Sequence, residues 1–177
     1  QANQKILQMI ADFSNAKGPS GFEDETVLAA RKHIGSGFDV EEDCLRNFYM
    51  YRKNNTGNKP VFMLDAHSDE VGFMVHSIRP NGTLRFVALG GWNVGSLASS
   101  KVLVRNAEGN WLPGIIAAKP VHFMSASEKS SLGAADISAL SIDIGAVDAR
   151  DAEENFKIRI GEPVAPDVTM EYDEQHD

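Results

Sequence analysis

His67, Asp69 and Glu70 crowd into one short stretch, Leu64-Asp65-Ala66-His67-Ser68-Asp69-Glu70-Val71-Gly72, with apolar sequence on both sides. The residues just ahead, Val61-Phe62-Met63-Leu64, form a short, continuously apolar run, which predicts an interior strand covered on both faces. Burying an imidazole and two carboxylates beside such a strand costs several kcal/mol unless they pair or bind a cation. His67 and Asp69 are two residues apart, so an extended backbone sends both to the same side. That arrangement suits an imidazole that ligates a metal and a carboxylate that fixes the ring's orientation. The chemistry would be metal-assisted hydrolysis. The same pair also reads as a surface ion pair. Zinc needs three or four protein ligands, and His33, His76, His122 and His176 are scattered without ligand spacing. The local motif leaves both readings open.

The rest of the chain must position that motif. At 177 residues it can bury roughly 70% of its unfolded surface, enough for one domain or two small ones. A composition of 42% hydrophobic and 24% charged residues is that of an ordinary globular protein. The net charge of −8, with no basic stripe, argues against a nucleic-acid partner. No apolar run is long enough to span a bilayer, and the start has no signal-peptide core, so the expected location is the cytoplasm. One cysteine, Cys44, excludes an internal disulfide and fits a reducing compartment; its acidic neighbours offer no cation to activate a thiolate, so it reads as structural.

Ile6, Leu7, Ile10 and Phe13 recur at helical spacing, and Gly18-Pro19 ends that first helix. Ser20-Gly21-Phe22-Glu23 has the pattern of a capping box, opening a second helix that carries Val27, Leu28 and Ile34. Strands follow at 38–42 and 45–52. After about residue 76 the texture becomes all-β. The Pro80-Asn81-Gly82-Thr83 turn joins strands at 70–79 and 84–89, and further strands are predicted at 101–105, 111–118 and 139–145. Short strands at regular spacing predict a small barrel or sandwich. Met124 to Asp136 reads as a loop, and Asp148 as the N-cap of a short helix ending in Glu153-Glu154. The fold class is therefore α/β, a partial three-layer domain carrying an inserted all-β barrel-like domain. The boundaries are 1–76, 77–163 and a return at 164–177.

Several motifs recur in a characteristic order: Pro19-Ser20-Gly21-Phe22-Glu23, Ala66-His67-Ser68-Asp69-Glu70-Val71-Gly72-Phe73-Met74-Val75 and Gly90-Gly91-Trp92, then Gly114-Ile115-Ile116, Pro120-Val121-His122, Ile142-Asp143-Ile144-Gly145-Ala146 and Gly161-Glu162-Pro163-Val164. Together they resemble the glutamyl and deblocking aminopeptidase family of dinuclear metallopeptidases, whose members often assemble into tetrahedral dodecamers. The resemblance runs over nearly the whole chain. It implies a zinc-peptidase-like catalytic domain interrupted by a barrel that mediates dimerisation. It implies that His67 ligates one of two divalent metal ions, zinc or cobalt, and that Asp69 is the catalytic carboxylate orienting it. The substrates would be peptides, cleaved at their N-termini by a metal-activated water.

In that family the remaining ligands and the general base follow the insertion, beyond Asp177. The chain therefore reads as the N-terminal portion of a longer enzyme, which alone would not retain its metals. Glu153-Glu154 lies in the insertion and reads as solvated helix surface rather than as the family's glutamate pair. Asp136 and Asp143 read as loop and strand-end residues. Arg46-Asn47 stands where relatives have Gly-Asn. Two other functions compete: a non-catalytic oligomerisation module built on the barrel, and a glycoside hydrolase using paired carboxylates such as Asp65 and Asp69.

Overall fold

A computed structural model describes residues 2–119, 121–123, 125 and 136–173. The chain divides into two compact units, one of residues 1–69 with 168–177 and one of residues 70–167. The division precedes the 76/77 boundary read from the sequence because the first strand of the second unit already starts at Gly72. The chain leaves that unit after Asp167, later than the predicted 163/164, because its last strand runs over Pro163–Pro166.

The first unit contains helix α1 (Ala2–Asn15), helix α2 (Asp24–His33) and an antiparallel pair, β1 (Phe38–Glu42) with β2 (Phe48–Arg52). The predicted capping box does not form. Pro19 to Phe22 instead close a turn, Gly21 has φ +89°, and Glu23 reaches back to accept from the Gly21 N–H at 2.6 Å. Asp12 pins the two helices. Its carboxylate accepts from Lys32 Nζ at 2.6 Å, His33 Nε2 at 2.7 Å and Gln8 Nε2 at 2.9 Å. These bonds, that of Lys32 foremost, hold its pKa at about 2 instead of 3.8. The returning segment is tied to the end of α1. Lys17, a buried amine, donates to the Val168 carbonyl at 3.0 Å, and the Met170 N–H donates to Asn15 Oδ1 at 2.8 Å.

Val61 to Leu64 do not form the predicted buried strand. They are irregular and 79–86% exposed. An interior strand needs neighbours on both edges and cover on both faces. The β1–β2 pair does not extend to these residues, and no strand among the described residues pairs with them.

The second unit is a closed six-stranded barrel in the order β3-β4-β7-β6-β5-β8. Its strands are β3 (Gly72–Ile78), β4 (Leu84–Leu89), β5 (Lys101–Arg105), β6 (Trp111–Ala117), β7 (Ser141–Asp143) and β8 (Pro163–Pro166). Alternation sets which face is buried: Phe73 and Val75, Leu84 and Phe86, Val102 and Val104, and Ile116, Ile142 and Val164 fill the interior. β8 lies between β3 and β5, pairing Phe73 with Val164 on one side and Val104 with Val164 on the other, and so closes the barrel. A short helix, α3 (Ala149–Glu154), buries Ala152 against this core. As expected, Asp148 caps α3, accepting from the Asp151 N–H at 2.8 Å. Glu153 and Glu154 are exposed on its surface, and Asp136 caps a short turn through Ser138. The predicted 124–136 loop otherwise lies outside the described residues.

Five residues, 79–83, connect β3 to β4; the Arg79 N–H donates to the Thr83 carbonyl, and Gly82 takes φ +80°. A Cβ there would sit 2.5 Å from the Ala146 carbonyl oxygen. Gly82→Ala should therefore destabilise the barrel by about 1–3 kcal/mol, measured by denaturant unfolding. In the first unit, Asp12 acts through linkage. A carboxylate with a depressed folded-state pKa stabilises above its unfolded value and loses that contribution as pH falls through the folded value. The α1–α2 pairing should weaken between about pH 4 and pH 2, and Asp12→Asn should flatten that step in a circular-dichroism acid titration.

Candidate metal-ligand site

His67 and Asp69 lie on irregular chain at the end of the first unit, not at the tip of a buried strand. A local bond holds the ring. His67 Nδ1 stands 3.0 Å from the Asp69 backbone carbonyl and 3.2 Å from Asp69 Oδ1. Both oxygens accept, so Nδ1 carries the proton and donates to the pair. In the neutral ring this leaves the Nε2 lone pair free. The His67 side chain is 87% exposed and that of Asp69 40%, so the free nitrogen is reachable from solvent. In this arrangement a carboxylate and a carbonyl fix the tautomer of an imidazole while its other nitrogen stays open to a cation.

The fit to a metal is partial. His67 qualifies as one ligand, through Nε2. Among the described residues no group of three or more His, Cys, Asp or Glu could hold an ion, so a complete donor set is not present there. His76 is exposed on β3, and His122 is exposed in a short turn at Val121–Phe123; the structure brings neither to a ligand cluster. Asp143 ends β7, where its Oδ1 accepts from the Gly145 N–H at 2.8 Å. Cys44 is free and exposed in the β1–β2 connection.

Just downstream, the barrel fixes the chain that follows the motif. Trp92 Nε1 donates to the Gly72 carbonyl at 2.9 Å, and its ring stacks on Phe73 at 4.5 Å. Trp92 is thus a core anchor, as its type suggests. Gly90 has φ +85°, and a Cβ on it would meet Val71 Cγ1 at 2.8 Å. The Gly90-Gly91-Trp92 motif therefore clasps Val71 to Phe73. The sequence reading identified that motif without finding this contact. It also missed Asp43, which organises the β1–β2 connection by accepting from the Leu45 and Asn47 N–H groups and from Asn47 Nδ2. These bonds, that of Asn47 first, lower its pKa. An Asp four residues before Asn at a strand end was the available signal.

A closed barrel carried within a chain that begins and ends in a helix-bearing unit is the architecture of known aminopeptidase structures. The TET aminopeptidase of a marine sediment archaeon, Thaumarchaeota archaeon SCGC AB-539-E09, superposes with a TM-score of 0.88 at 30% identity, over 99% of this chain and 47% of that one. Pyrococcus horikoshii TET1 peptidase, which can assemble into a tetrahedron or a large octahedral shell, shares the fold with a TM-score of 0.72 at 24% identity, over 92% of this chain and 46% of that one. In sequence, the putative aminopeptidase FrvX of Escherichia coli K12 is 34% identical over 95% of this chain and 45% of its own length. Residues 47–176 match the M42 glutamyl aminopeptidase family, and the chain belongs to it. The chain spans a third to about half the length of the curated relatives it matches.

The ring geometry can be measured directly. In nitrogen-15 NMR of His67, the Nδ1-protonated tautomer should predominate, the reverse of free histidine. Asp69→Ala should shift the population back toward Nε2–H, with the backbone carbonyl at that position retaining part of the preference.

Proposed function

We propose that this chain is the N-terminal portion of a metal-dependent aminopeptidase that removes N-terminal residues from peptides. The single observation that carries the reading is the Nδ1–H bond from His67 to Asp69, which leaves Nε2 open to a cation. His67 is assigned as a metal ligand and Asp69 as the carboxylate that steers it. Two divalent ions, zinc or cobalt, would supply polarisation of the scissile carbonyl and acidification of a water. The remaining ligands and the general base come from polypeptide outside the described residues. Membership of the M42 family supports the reaction class, and the names of the relatives support peptide substrates. The expected setting is the cytoplasm; among the described residues no helix is long and apolar enough to cross a membrane. Association would run through the barrel, its endpoint a dimer or the larger shells formed by the TET relatives.

A second reading keeps the barrel as an assembly module without catalysis. It is favoured by a barrel core that is closed and complete by itself. Metal analysis of the intact polypeptide separates the two: stoichiometric divalent metal supports the enzyme, and oligomers lacking metal support the scaffold. In the complete polypeptide, His67→Ala should abolish metal-dependent release of N-terminal residues. Asp69→Asn should cost about 10–100-fold in metal affinity or activity. Full activity in His67→Ala would end the assignment.

A further inference from the structure

Two stretches of the first unit that lie far apart in the sequence meet at one place, the end of α1 and the turn that follows it, residues 15–18. The turn is anchored to α2 through its backbone: the Lys17 N–H donates to Glu25 Oε2 at 2.8 Å, and Pro19 just beyond is fully buried. Gly18 occupies a tight space. A Cβ there would overlap Thr26 Oγ1 of α2 and lie 3.6 Å from the Ser68 carbonyl oxygen. Ser68 separates His67 from Asp69, so the glycine lets the segment carrying the candidate ligand approach the turn at backbone distance. The returning segment is gripped at the same turn. Lys17 Nζ donates to the Val168 carbonyl at 3.0 Å, and the Met170 N–H donates to Asn15 Oδ1 at 2.8 Å. The chain leaves this unit after Asp69 and re-enters it at Val168, so departure and return are held at the same short turn.

Lys17 is the unusual member of the turn. It is only 8% exposed, and the acceptor that faces its ammonium is a neutral carbonyl rather than a carboxylate. Burying an ammonium carries a desolvation penalty that one carbonyl bond offsets only in part. A methionine of similar length would fill the space without that penalty. What the lysine adds is direction, a charged donor aimed at one carbonyl of the returning segment. Direction matters at a site assembled from distant parts of a chain, where each donor must be held to within about 0.5 Å.

We propose that Lys17 is a positioning residue for the metal site. With Asn15 and Gly18 it fixes the returning segment against the segment that carries His67, so that donors supplied later in the polypeptide approach the ion from a set starting point. The proposal rests on the reading that His67 ligates a metal, and it adds the element that keeps the two arms of the site in register.

The test has two stages, with circular dichroism confirming that each variant folds. In this chain, hydrogen exchange of the Met170 amide should accelerate about tenfold in Lys17→Met and in Asn15→Ala. It should stay slow in Asn15→Asp, which keeps the acceptor, and amides of the β5–β6 ladder should not change in any variant. In the complete polypeptide the probe is cobalt(II) ion. Lys17→Met should bind it about tenfold or more weakly, with altered d–d absorption bands and a denaturation midpoint no lower than that of the wild type. Met170 exchange unchanged in both Lys17→Met and Asn15→Ala would overturn the clamp. A loosened return with unaltered cobalt(II) affinity and spectrum would overturn the positioning role while leaving His67 as a ligand. Weaker cobalt(II) binding that only tracks a lowered midpoint would assign Lys17 to stability and overturn the role as well. A wild-type complete polypeptide that takes up no cobalt(II) would overturn both this role and the reading beneath it.

Discussion

The pairing of β8 between β3 and β5 is the constraint on which the barrel depends. β8 supplies only four residues, Pro163–Pro166, yet it converts an open run of strands into a closed one. Val164 serves both ladders, opposite Phe73 on one side and Val104 on the other, and its side chain is fully buried. Closure removes the sheet edges that would otherwise template aggregation. It also fixes the path of the chain: β3 and β8 run antiparallel side by side, so the segment arrives and departs at neighbouring strand ends. An inserted unit needs this geometry, because it can be added to another fold without forcing that fold's flanking residues apart.

Local features were legible in the sequence, and long-range ones were not. The Pro80-Asn81-Gly82-Thr83 turn is encoded by residues in contact with one another, and β4 at Leu84–Leu89 falls where the pattern placed it. Asp148 caps α3 because its oxygen need reach only three residues along. The strand order of the barrel depends on pairings between distant segments, such as Val104 with Val164, about which alternation is silent. Val61-Phe62-Met63-Leu64 shows the opposite limit. Its composition does describe a strand core, but composition cannot supply the neighbours that would bury it, and these residues stand exposed. Arg46 is another case: the left-handed φ of +66° is one that glycine adopts freely, so the sequence's departure to arginine at that turn carries backbone strain. The arginine offsets this with ion pairs to Asp24 and Glu42.

The candidate site divides in the same way. Two residues of separation suffice to bring His67 against Asp69, so that pairing was readable from spacing. The tautomer was not, since it depends on the Asp69 carbonyl, which every residue possesses and no pattern marks. The setting differs as well. A solvent-exposed imidazole–carboxylate pair contributes little to stability, so the geometry at His67 is available for binding rather than consumed in holding the fold. Within the barrel unit Trp92 carries structural load, through its indole N–H to Gly72 and its stacking on Phe73.

The adjacent arrival and departure of the chain also decides how the barrel responds to force. Tension applied through the flanks of residues 70 and 167 pulls on neighbouring ends of β3 and β8, and so loads their ladder as a zipper. The rungs at Phe73–Val164 and Met74–Pro163 would part in succession instead of sharing the strain. On the β5 side the same pull reaches Pro166 and Ala165 before Val164, so the end of β8 peels from both neighbours and the cylinder opens along that strand.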